Sequence, residues 1–96
     1  MDKEKLKEFN DFRNELHIST MLFRNILIHS MLYCKSRSTE DENVIYLAKE
    51  SMKRVDPRFI KNRFNQRNSP QAYGKSIVLK TAQELGIVES NERKVG

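Results

Sequence analysis

Hydrophobic positions recur at intervals of three and four along most of the first 88 residues, the spacing of helices that bury one face. The first run, Lys3 to Leu16, sets Leu6, Phe9, Phe12 and Leu16 on one side and its acids and lysines on the other. The second, Thr20 to Lys35, differs in kind. At about 100° per residue, Met21, Leu22, Phe23, Ile26, Leu27, Ile28, Met31, Leu32, Tyr33 and Cys34 cover most of its circumference. Ser19 or Thr20 is its expected N-cap. A helix apolar on nearly every side has to be covered, either by the other helices or by a second copy of the chain, and the first arrangement is the preferred expectation.

Thr39-Glu40-Asp41-Glu42 reads as a capping box opening a third helix, with the threonine oxygen and the Glu42 carboxylate satisfying free backbone donors. Val44, Ile45, Ala48, Met52 and Val55 form its buried stripe, and Tyr46 projects away among Lys49, Glu50 and Lys53. Pro57 stops smooth continuation because its ring disfavours helical backbone at the preceding residue. Asp56-Pro57 then serves as N-cap and first position of a fourth helix, Pro57 to Arg67, and Ser69-Pro70 repeats the signal for a fifth. The fifth ends at Gly86, which can take the left-handed closing conformation, with Ile87 folding back as its hydrophobic contact. Tyr73, Ile77, Val78, Ala82 and Leu85 share a face with Gly74, where the missing side chain lets another helix come close. The pattern predicts an all-α fold: a compact bundle of about five short helices, the second central, in a single domain spanning 1–88. Residues 89–96 show no periodicity and read as a flexible tail.

Composition agrees with that economy. Charged residues make up 32% of the 96 and hydrophobic ones 38%, so apolar side chains suffice for one modest core. Three glycines and two prolines are too few for the tight hairpins of an all-β fold. The single cysteine, Cys34, rules out an intramolecular disulfide and a multi-cysteine metal site and suggests a reducing compartment. Met1 to Glu8 alternates acids and lysines and shows no secretory pattern, so a cytoplasmic location is expected. The most apolar stretch, Met21 to Cys34, is broken by Arg24, Asn25, His29 and Ser30 and is too short to span a membrane.

Charge changes the picture most. The chain carries a formal +5, and residues 53–67 alone supply it: Lys53, Arg54, Arg58, Lys61, Arg63 and Arg67 against Asp56. On the fourth helix Arg58, Lys61, Asn62, Asn65 and Gln66 fall within an arc of about 140°. Arginine and lysine neutralise phosphates or read guanine, and asparagine and glutamine pair with adenine, so this arc suits a major groove. An ordinary solvated helix has the same composition. The connection between the fourth and fifth helices, Asn68 to Pro70, has the length of a helix-turn-helix turn, whereas the third and fourth are joined too tightly. In that arrangement Gln71 and Lys75 of the fifth helix, with Ser76, Lys80 and Gln83, face outward as readers.

The leading expectation is therefore a non-enzymatic nucleic-acid-binding protein, DNA in preference to RNA, acting as a regulator or accessory factor. Phosphate contacts would come from Lys53, Arg54, Arg58, Lys61, Arg63 and Arg67, with Lys75 outward on the reading helix. Base contacts would come from Asn62, Asn65, Gln66 or Gln71, and a homodimer could form through the 20–35 helix. The alternative is a protein-binding module, a small inhibitor, immunity-type factor or adaptor, whose basic helix docks an acidic protein surface.

Other chemistry is expected to be absent. Gly74-Lys75-Ser76 lacks the earlier glycine and the strand-loop-helix setting of a phosphate loop. His29 and Cys34, five residues apart, are off a common helical face, so no metal site and no cofactor is expected. Cys34 has no recognisable base, and the acids at 2–15 and 40–50 have no enclosing cleft. Membrane attachment would need an exposed apolar face on the fourth helix, whose Phe59, Ile60 and Phe64 are needed inside.

Overall fold

The computed structural model describes residues 3–61 and 69–88; residues 1–2, 62–68 and 89–96 lie outside the described residues. Among the described residues five helices follow in order: α1 Lys3–Glu15, α2 Thr20–Tyr33, α3 Glu42–Lys53, α4 Pro57–Lys61 and α5 Pro70–Glu84. No strand occurs among the described residues. The radius of gyration, 13.2 Å, is near the ~13 Å of a folded chain this long. The fold is the expected all-α bundle.

Local chemistry explains the helix starts. At α2 the Leu22 N–H donates to Ser19 Oγ (3.1 Å), and at α5 the Ala72 N–H donates to Ser69 Oγ (3.0 Å), with Pro70 opening the helix. The start of α3 corrects the sequence reading. Asp41, not Thr39, is the N-cap, its Oδ1 accepting from the Asn43 N–H at 2.8 Å. Thr39 is buried, and its hydroxyl has no hydrogen-bond partner. An aspartate immediately before the first helical residue satisfies the same orphan donors with a full charge, favoured by the helix dipole.

The ends of α1, α2 and α5 share one motif. At α5 the Ile87 N–H donates to Ala82 O and the Gly86 N–H to Gln83 O, with Gly86 at φ 78°. The paired bonds recur at α1, with His17 at φ 59°, and at α2, with Lys35 at φ 55°. In both places a residue with a side chain takes the left-handed position.

The core lies where α2 meets α3 and α5. Leu22, Phe23, Ile26 and Leu27 of α2 pack with Leu47, Ala48 and Met52 of α3 and Val78 and Ala82 of α5, while Phe9 brings in α1. The α3 stripe also includes Leu47 and the buried Ser51, both outside the expected set. Gly74 is the close approach anticipated: a Cβ there would lie 3.0 Å from Asn25 Cβ and 3.3 Å from Leu22 Cδ1. Arg13 fastens α1 to the start of α2, donating to Thr20 Oγ1 (3.0 Å) and standing 5.7 Å over the Phe23 ring.

The central helix is not fully covered. Met21, Ile28 and Leu32 are 59%, 45% and 63% exposed, so the expectation of burial on all sides fails along one line of α2. The reason is geometric: α3 and α5 occupy adjoining flanks, and α1 meets α2 mainly at its start.

Candidate nucleic-acid interface

The short α4 is anchored by aromatic packing. Phe59 is buried and stacks on Tyr73 of α5, ring centroids 3.8 Å apart and planes at 17°, and the Asp56 N–H donates to the Tyr73 hydroxyl at 2.8 Å. These contacts fix where the basic segment leaves α3. Asp56 caps α4 as expected, its Oδ1 accepting from the Arg58 N–H at 2.8 Å.

Three cations of this segment, Lys53, Arg54 and Arg58, have carboxylate partners within the chain. Lys53 Nζ reaches Glu50 Oε2 at 3.2 Å. Arg54 donates to Glu50 Oε1 (3.1 Å), to the Glu50 carbonyl (2.9 Å) and to Glu84 Oε1 (3.0 Å), tying the end of α3 to the end of α5. Arg58 Nη2 lies 3.1 Å from Asp56 Oδ2, although its side chain stays 87% exposed. Hydrogen bonds from Arg54 and then Lys53 hold the Glu50 carboxyl below its ordinary range, and those from Arg58 do the same for Asp56. Such exposed pairs are weak in water, so a phosphate can displace the carboxylate.

Gln71 and Lys75 are exposed on α5, as are Ser76 and Lys80, in agreement with their expected outward direction. Gln71 sits beside the start of α2, where it lines a groove with Thr20, Met21, Arg24, Asn25 and Ile28. Lys61 is the last described residue of α4; Asn62, Arg63, Asn65, Gln66 and Arg67, over which the helix was expected to continue, lie outside the described residues. Arg24 also belongs to this side of the molecule and was missed by reading the basic run alone. Its signal is the absence of any acid from α2.

His29 and Cys34 show ordinary environments. Burial, then the nearby Lys75, push His29 below its usual value of 6.5, favouring neutral imidazole at neutral pH. Burial and then Asp41 push the Cys34 thiol up, which leaves it protonated and weakly nucleophilic. Among the described residues no three His, Cys, Asp or Glu side chains group as metal ligands, and no helix is long and apolar enough to cross a membrane. No family model matches the chain, and no curated protein or solved structure proves significantly similar to it.

Proposed function

We propose that the protein is a small, non-enzymatic nucleic-acid-binding factor, a regulator or accessory protein, that presents its α4–α5 side to duplex DNA in preference to RNA. The observation that carries the reading is the one-sided placement of acid. Gln71, Lys75, Ser76 and Lys80 are all exposed on α5, whose helix has no carboxylate before Glu84; Gln71 lines the groove beside α2, and Lys80, about 180° round the helix from it, lines another with Arg54 and Glu84. The adjoining residues 61–67 add Lys61, Arg63 and Arg67 with no acid. A helix of about four turns bearing lysines and an amide fits the DNA major groove, whereas the deep, narrow major groove of RNA excludes it.

In this reading Lys75, Lys80, Arg58, Lys61, Arg63 and Arg67 neutralise phosphates, and Gln71 with Asn62, Asn65 or Gln66 touches base edges. Lys53 and Arg54 contribute more weakly, because Glu50 and Glu84 compete for them. Neutralising four to six phosphates gives a log-log salt slope of about −4 to −5. Fluorescence anisotropy of labelled duplex DNA, single-stranded DNA and RNA across a salt series tests this. The expected result is sub-micromolar duplex binding, with a slope that flattens by about 2 in the Lys75→Ala, Lys80→Ala double variant. Measurable binding with a nearly flat slope would sink the phosphate reading.

A further inference from the structure

The exposed line on α2 borders the proposed nucleic-acid face, sharing Gln71 and Lys75 with it, but has different chemistry. Met21, Ile28 and Leu32 lie within about 40° of one another around the helix axis and extend over about 16 Å, or three turns. Beside this line runs a groove of about 490 Å³ lined by Thr20, Met21, Arg24, Asn25, Ile28 and Gln71. Its rim is basic. Arg24 and Lys75 are exposed, neither forms an ion pair among the described residues, and α2 has no aspartate or glutamate.

We infer that this groove is a docking site for an amphipathic α-helix of an acidic protein partner. The ligand's apolar residues, spaced at three and four, cover Met21, Ile28 and Leu32, and carboxylates flanking them pair with Arg24 and Lys75. The walls are two helices, and no strand edge is present among the described residues to pair with an extended peptide. Charge decides between the occupants. A second copy arrives with the same acid-free face; an antiparallel α2 pair that sets Met21 against Leu32 also sets Arg24 against His29, beside Lys75, so cation faces cation. A nucleic acid would use the cations and leave the apolar line in water. The inference goes beyond the nucleic-acid reading and does not depend on it.

The test is a display library of helical peptides about four turns long, randomised at apolar and flanking positions and selected on the full chain. Counter-selection uses the Ile28→Ser, Leu32→Ser double variant, whose substituted sites are already exposed. The expected winners carry apolar residues on one face with Asp or Glu on both flanks. A synthesised winner should bind the wild type about tenfold or more tightly than it binds the double variant, and should weaken similarly on Arg24→Gln, Lys75→Gln. The second pair keeps the apolar line intact, so it tests the rim even if the serine variant loses stability. Enrichment of no helix, or of helices with neutral or basic flanks, overturns the proposal. So does a dimer in sedimentation equilibrium that the serine variant dissociates, since the groove would then belong to a second copy.

Discussion

At the scale of single residues, a cation's place in the sequence says less than what it faces. Lys53, Arg54 and Arg58 read as free phosphate ligands in the chain, yet Glu50, Glu84 and Asp56 partner them in the fold. Glu50 is one helical turn before Arg54 and Asp56 is two residues before Arg58, so both were legible. Glu84 is 30 residues from Arg54 and was not. His29 provides a prediction at this scale. Its folded pKa lies below the ordinary 6.5, through burial and then Lys75, so the unfolded chain binds a proton more readily than the native one. Above that value both states are neutral and the histidine has no effect; as pH falls through it, native stability declines until the folded imidazole also protonates. Urea unfolding at pH 7.5 and 5.5 should show a loss that His29→Gln reduces. The depressed carboxylates Glu50 and Asp56 act only at lower pH, as their ordinary values of 4.5 and 3.8 are approached, so they leave this window clear.

At the scale of elements, end signals were readable where one residue type carries the geometry. Ser69-Pro70, Asp56-Pro57 and Gly86 each do what their chemistry predicts. The α3 start was misassigned because Thr39 and Asp41 are both good caps and the sequence does not rank them; the fold buries Thr39 and leaves Asp41 at the helix end. The left-handed position at Lys35 gave no signal, since lysine does not favour that conformation, and His17 gave only a weak one, histidine being enriched there but far less diagnostic than glycine. They offer a direct gain. Lys35→Gly keeps the two closing bonds of α2 and removes the clash of a Cβ at positive φ, so it should stabilise the protein by about 1 kcal/mol. Gly86→Ala should cost a similar amount. Urea denaturation of the two variants beside the wild type checks both signs.

At the scale of the whole molecule, the packing of α2 on α5 governs both the core and the two candidate surfaces. Gly74 sets that distance. Valine there adds atoms where the first Cβ already stands 3.0 Å from Asn25 Cβ, an atom held by its own backbone. Gly74→Val should therefore destabilise by about 2–3 kcal/mol in urea unfolding. Gly74→Ala should come out closer to the wild type, because about 1 kcal/mol of helix propensity offsets the crowding. Over the described residues the order of the helices, most of their caps, the core face of α1 and α5 and the concentration of charge were legible in the chain, because all of these depend on residues within a few turns of one another. That Arg54 reaches Glu84, which side of the all-round apolar α2 stays open, and that Gln71 of α5 lines the groove beside it could not be read from the chain. Those outcomes depend on how the helices pack, and at a central helix that is apolar on nearly every side, hydrophobic pattern does not say which flanks its neighbours will take.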